Sequence, residues 1–196
     1  MAQRAWVVAG LGNPGDHYAR TRHNAGRMVV DELAGRSGER FRKVRFLPVD
    51  VAEIKQGGER VLLAKSHGYM NEAGPSYASL AKRNGAGTDH VIAVHDDLDL
   101  AFAALRIKLG GSTAGHNGLN SLVGALRTPE FYRVRIGIGR PPGRQDPVDF
   151  VLENFAKRDE PDLAVLIDDA ADAVLCLLGE GLAAAQDRYS RPGPRA

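Results

Sequence analysis

Cysteine is nearly absent from this 196-residue chain: Cys176 is the only one, so no internal disulfide can form and a thiolate metal cage is excluded. Its neighbours Ala173, Val174, Leu175, Leu177 and Leu178 are apolar, and a buried structural thiol is the expected role. Long hydrophobic runs are also missing. Val91–Val94 and Ala173–Leu178 fall far short of the ~20 residues that span a bilayer. Met1–Leu11 lacks the apolar core of a signal peptide, so the expectation is a soluble cytoplasmic chain with no membrane partner. No internal repeat, low-complexity tract or interior linker is visible. No Pro/Gly-rich linker divides the chain before Arg191–Ala196, which reads as a tail, giving one domain over 1–189 and a flexible segment over 190–196. A nucleophile signature and a phosphate-loop signature are missing too, and Cys176 sits in an apolar helix. There is no G-x-S-x-G elbow, and no Gly-rich loop ends in Gly-Lys-Ser/Thr, so activated water is the expected nucleophile and a P-loop is excluded.

The composition that remains is that of an ordinary globular domain, 43% hydrophobic and 26% charged. Its formal net charge of +2 hides an asymmetry. Residues 1–150 carry 21 Lys+Arg against 15 Asp+Glu, and residues 151–196 carry 5 against 9. A basic body can face a polyanion, although solvated surface charge accounts for it equally.

Short β-rich runs at Ala5–Ala9, Val61–Ala64 and Val91–His95 alternate with helical spacing at Asn24–Arg36, Asn71–Arg83, Asn117–Leu126 and Pro161–Leu178. This is the pattern of an α/β fold, a single globular domain with a mixed sheet flanked by helices. Asn24 and Asn71 are read as N-caps. Along Phe131–Ile138, Tyr132, Val134, Ile136 and Ile138 alternate with Arg133, Arg135 and Gly137, which predicts a strand with one basic face.

Four polar clusters sit at strand ends or helix starts. Gly10-Leu11-Gly12-Asn13-Pro14-Gly15 formally matches the dinucleotide fingerprint, but Pro14 and Gly15 oppose a helix there. A tight turn is the plainer reading. His23 stands just before a helix, and a neutral imidazole can take a proton from water if a partner fixes its tautomer. His95-Asp96-Asp97-Leu98-Asp99 ends an apolar strand and offers such a carboxylate. Metal binding and a solvated, capped loop are the rival readings of those acids. Gly68-Tyr69-Met70-Asn71 combines an amide with an aromatic and an apolar side chain. Lys108 through Gly118 forms a Gly-rich loop entering a helix whose first N–H groups can hold an anion or a carbonyl.

Taken in order, GLGNPG, TRHN, YMN, HDDLDL, GHNGL and RIGIGRP resemble the bacterial-type peptidyl-tRNA hydrolases across residues 6–142. The resemblance implies a monomeric enzyme that cleaves the ester between a peptide and the 3′-terminal ribose of tRNA, with no metal, no organic cofactor and no obligate protein partner. It assigns His23 as the general base and Asp96 as its support. Asn13 and Asn71 would act on the ester carbonyl, and Asn117 would hold water or peptide backbone. Tyr18, Tyr69 and Met70 would line the channel, while Lys108 and Arg135 would grip the 5′ phosphate of the acceptor stem. Arg106, Arg133 and Arg140 would extend that basic surface. The run Arg36, Arg40, Arg42, Lys43, Arg45 is assigned no site. Departures from the family pattern fall at Ser66, where a proline is usual and whose loss should loosen the loop through Gly68, and at Ala103 and Ala114, where glycine is usual. A catalytically silent RNA-binding module and a nucleotide-dependent oxidoreductase are the competing functions.

Overall fold

The computed structural model describes residues 4–193. Seven strands form one sheet: β1 Ala5–Gly10, β2 Arg42–Lys43, β3 Val49–Gln56, β4 Glu59–Ser66, β5 Val91–Asp97, β6 Leu105–Leu109 and β7 Tyr132–Gly137. Their order across the sheet is β2-β3-β4-β1-β5-β7-β6. The four central strands β4, β1, β5 and β7 are parallel, and antiparallel pairings add β3 and β2 at one edge and β6 at the other. Six α-helices accompany them: α1 Ala25–Arg36, α2 Gly74–Arg83, α3 Asn117–Leu126, α4 Pro147–Leu152, α5 Glu160–Glu180 and α6 Leu182–Tyr189.

Strand periodicity divides the core into two layers. Val8 of β1 points to the side of Val29 and Leu33 from α1 and Ala170 and Val174 from α5. Its neighbours Val7 and Ala9 point to the other side, against Tyr77 and Leu80 from α2 and Leu119 and Leu122 from α3. Covered on both faces, the central strands can be apolar at every position, and Val91–Val94 is buried throughout. Cys176 is buried in the α5 layer, and its pKa is raised by burial. No helix among the described residues is long and apolar enough to cross a membrane.

The helix caps differ from the asparagine readings. Asn24 occupies the cap position of α1 but spends its side chain on the Asn13 backbone instead. Asn71 lies in a single 3-10 turn, Met70–Glu72, and α2 starts at Gly74. The cap of α3 is His116, whose Nδ1 accepts the Gly118 and Leu119 N–H groups at 3.1 and 3.3 Å.

The chain end departs from the expected tail over 190–196. Arg191 exchanges two backbone hydrogen bonds with Leu105 at 2.9 and 3.1 Å and forms an ion pair with Asp169. Ser190 and Arg191 are therefore held against β6, while 194–196 lie outside the described residues. Nor does the loop at Ser66 lack restraint: the buried Ser66 hydroxyl accepts the Gly68 N–H at 3.0 Å, its own N–H reaches Tyr77 Oη at 3.1 Å, and Arg27 donates to its carbonyl. These bonds replace the stiffness that a proline would have supplied.

Candidate active site

Parallel strands place β1 and β5 side by side with their carboxyl ends on one rim, where open α/β sheets receive ligands. The start of α1 is pressed onto this rim. A Cβ on Gly26 would lie 2.0 Å from the Val94 carbonyl oxygen, so only glycine lets the helix sit so close. That approach carries His23, in the 3-10 turn preceding α1, to the buried Asp96 of β5.

His23 Nδ1 lies 3.0 Å from both carboxylate oxygens of Asp96. A nitrogen facing only carboxylate oxygens carries the proton, which leaves the lone pair on Nε2. Sequence reasoning did not anticipate the second imidazole on the same carboxylate, His116, with Nε2 2.9 Å from Asp96 Oδ1. Because two backbone N–H groups donate to His116 Nδ1, its proton must sit on Nε2 and point at Asp96. The signal was present in the sequence as a histidine ending a Gly-rich loop at a helix start, but nothing local linked that loop to β5. Burial disfavours the Asp96 anion, yet His23 and His116 more than offset it, and its pKa is well below the carboxylate range. A third histidine, His95, donates from Nδ1 to the Asp96 carbonyl at 2.7 Å and packs its ring edge-on 5.0 Å from that of His116. Burial, with His116 adding to it, pushes the His95 pKa down to about 3.

His23, Asp96 and His116 also bring three ligand-type atoms within 4.8 Å of one another. Both imidazole protons already point at the shared carboxylate, so a cation between them would have to displace both.

A cleft of about 540 Å³ opens over this cluster. Of the residues singled out from sequence, Asn13, Tyr18, His23, Tyr69, Met70, Asn71, Asp96 and Asn117 all line it. Asn13 Oδ1 accepts the Met70 N–H at 2.8 Å, which fixes the amide and leaves Nδ2 as a donor. The Tyr18 and Tyr69 rings meet edge to face at 6.3 Å. One wall was not expected: α4, capped by Asp146 and opened by Pro147, presents the exposed Val148 and Leu152 to the cleft. Asp-Pro is a helix-start signal that could have found it. Arg22 ties this wall to the His23 turn by donating to the Phe150 carbonyl at 3.0 Å and stacking on the Phe150 ring at 4.0 Å. At another edge of the cleft Ala114 holds a left-handed backbone, φ 48°.

Arg106, Lys108 and Arg135 are not in the cleft. They lie on the β6–β7 ribbon, where Arg106 pairs across from Arg135 and Lys108 across from Arg133. The basic face predicted for that strand therefore exists, with one correction. Arg133 is wholly buried and donates to the Gly111 and Ser112 carbonyls, both at 2.7 Å, so it props the Gly-rich loop rather than extending the surface. Arg135 Nε is held by Asp97 Oδ2 at 2.8 Å. Arg140 is paired to Asp99. Burial, then Arg135 and Arg133, lowers the Lys108 pKa, the signature of cations crowded together.

The family model for peptidyl-tRNA hydrolase matches residues 7–195. A peptidyl-tRNA hydrolase of Arthrobacter sp. (strain FB24) is 50% identical over 186 residues, covering 94% of this chain and 95% of that one. One of Mycobacterium tuberculosis (strain ATCC 25177 / H37Ra) is 48% identical over 182 residues, covering 93% and 95%. Among solved structures, a peptidyl-tRNA hydrolase from Acinetobacter baumannii superposes with a TM-score of 0.87 at 30% identity, covering 100% of this chain and 99% of its own. A peptidyl-tRNA hydrolase crystallised with N-propanol gives 0.88 at 31% identity, covering 98% and 97%.

Proposed function

The chain belongs to the peptidyl-tRNA hydrolase family and releases tRNA from peptidyl-tRNA, and from that premise we propose that His23 is the base that drives the reaction. The carrying observation is the Asp96 carboxylate held 3.0 Å from His23 Nδ1, which leaves the Nε2 lone pair to act. Nε2 takes a proton from water, and the resulting hydroxide adds to the ester carbonyl carbon. Asp96 stabilises the imidazolium while the tetrahedral intermediate exists. Asn13 Nδ2, its amide fixed by the Met70 N–H, donates to the oxyanion without reorganising, and the Asn71 amide at the cleft wall adds a second donor. Collapse breaks the bond to the 3′-terminal ribose oxygen, which leaves with the proton returned by His23 Nε2. No metal or organic cofactor enters these steps.

Around that centre, Tyr18, Tyr69 and Met70 take the terminal nucleotide by stacking and apolar contact. Val148 and Leu152 offer the peptide an apolar wall. Asn117, at the first turn of α3, holds the attacking water or a peptide carbonyl. Arg106, Lys108 and Arg135 bind the 5′ phosphate of the acceptor stem, a contact that positions RNA without reading its sequence. The enzyme works as a monomer in the cytoplasm, on N-blocked chains from prematurely ended translation, and needs no protein partner.

Two variants separate these roles. His23→Gln should lower kcat by about 10²–10⁴-fold on N-acetylaminoacyl-tRNA with little change in tRNA binding. Lys108→Ala should raise KM and leave the single-turnover rate at saturation near that of the parent. A glutamine variant that is folded and as fast as the parent overturns the assignment of His23.

A further inference from the structure

The basic run left without a site divides in the structure. Arg36 is neutralised by Glu32, Asp168 and Asp172. Arg40, Arg42 and Lys43 have no acidic partner among the described residues and are exposed. They lead into a tight turn, Val44–Leu47, closed by the Leu47 N–H on the Val44 carbonyl at 3.2 Å. Val44 and Leu47 tuck against the α2–α3 core layer, whereas Phe46 between them is 81% exposed. Its φ is 65°, at the turn position where glycine or asparagine is usual and a bulky residue is an outlier. A strained backbone holding a phenylalanine in water points to a function for the ring. The Arg45 guanidinium lies 4.5 Å from the ring centroid, and Arg83 Nη1 donates to the Arg45 carbonyl at 2.8 Å, which steadies the turn.

An aromatic face surrounded by unpaired cations is the chemistry that receives an unpaired nucleotide: the base stacks and the flanking phosphates meet the cations. The turn precedes β3, whose first residue pairs with the last of β4, so it lies on the same rim of the sheet as the cleft. It stands at the opposite edge from Arg135, five strand spacings or about 24 Å away. The 5′-phosphate grip proposed at β6–β7 is therefore a separate patch from the turn. We propose that the Phe46 turn, with Arg42, Lys43 and Arg45, is a second RNA-binding surface that takes a single-stranded RNA segment from a molecule other than the tRNA being cleaved. This inference does not depend on which residue hydrolyses the ester.

The test is fluorescence anisotropy with a 5′-labelled ten-nucleotide single-stranded RNA, repeated in the presence of saturating deacylated tRNA. The parent should bind the oligonucleotide with tRNA present. Phe46→Ala should weaken binding about 10-fold and Phe46→Trp should restore it, as expected for one base–aromatic stack. The triple variant Arg42→Ala/Lys43→Ala/Arg45→Ala should reduce the slope of log K against log salt by about 2. Each variant should cleave N-acetylaminoacyl-tRNA at the parent rate, which separates this surface from the cleft. Complete displacement by deacylated tRNA overturns the proposal by placing the oligonucleotide in the substrate site. Equal binding by Phe46→Ala, or equally tight binding of a ten-residue polyglutamate, overturns it as well.

Discussion

His95 shows how the cluster around Asp96 couples chemistry to stability. In an unfolded chain its imidazole takes up a proton below about pH 6.5. In the folded protein burial and the neighbouring His116 hold the pKa at about 3, so the ring stays neutral. Between those two values the unfolded state binds more protons than the folded one. Stability is therefore complete above the upper value and declines as pH falls toward the lower one, with a slope approaching ~1.4 kcal/mol per pH unit. His95→Asn keeps a donor for the Asp96 carbonyl and removes the titration. Urea unfolding at pH 7 and pH 4.5 should show the parent losing about 2 kcal/mol more than this variant. Equal losses would assign the acid sensitivity to other groups. A second residue-scale expectation concerns Ala114 and Ala103, which hold positive φ values of 48° and 62°. Left-handed alanine costs roughly 1–2 kcal/mol, and the added unfolded-state freedom of glycine costs roughly 0.4–1 kcal/mol. Ala114→Gly, at an exposed position, should raise stability by up to about 1 kcal/mol in a urea titration, and a loss of stability would contradict this balance. Buried Ala103 would also lose methyl packing, so its glycine variant should be close to neutral.

The contact between α1 and β5 governs the site at the scale of elements. Alanine exceeds glycine in helix propensity by about 1 kcal/mol, so Gly26→Ala would stabilise an isolated α1. Here the new methyl would lie 2.0 Å from the Val94 carbonyl oxygen and 2.8 Å from Leu11 backbone atoms. The helix must move off the sheet, and His23 moves with it away from Asp96. The variant should lose at least ~1–3 kcal/mol of stability, as overpacking does, together with most of its kcat. Parent-like turnover would show that the His23–Asp96 distance tolerates the shift. The elements carrying this arrangement were legible, β1 and β5 as short apolar runs, β7 by its period of two, α1 by its 3.6-residue stripe and α3 as the helix entered from a Gly-rich loop, each within a few residues of its observed bounds. Three were not. In β3 only Val49, Ala52 and Ile54 are buried, so its alternation is broken. β2 has two exposed residues and is defined by its neighbour alone. The six residues of α4 are too few to show a helical period.

Across the whole molecule, sequence order gave the site its members but not its meeting points. His23, Asp96 and Asn13 could be grouped because each stands at a strand or helix end, and parallel strands bring such ends to one rim. His116 could not be joined to Asp96 from local pattern, since their contact depends on where Arg133 props the Gly-rich loop. The C-terminus shows the same limit. Arg-Pro-Gly-Pro reads as a free tail, yet Leu105 at the sheet edge has an unpaired N–H and C=O that the Arg191 backbone satisfies. Gly193 then packs so closely that a Cβ would lie 2.3 Å from the Phe102 carbonyl oxygen. A chain ending at Ser190 exposes that edge and also loses the Arg191–Asp169 ion pair. Two backbone hydrogen bonds at about 1 kcal/mol each predict a Tm lower by roughly 4–8 °C for a domain of this size. Arg191→Ala removes only a half-exposed ion pair and should shift Tm by no more than about 2 °C. Both variants should keep the parent kcat on saturating N-acetylaminoacyl-tRNA at 25 °C, because no residue of β6 lines the cleft. A truncated chain that melts with the parent would mean the strand edge is satisfied by water. One that melts lower and also cleaves slowly would mean that docking of the terminus reaches the Gly-rich loop through β6.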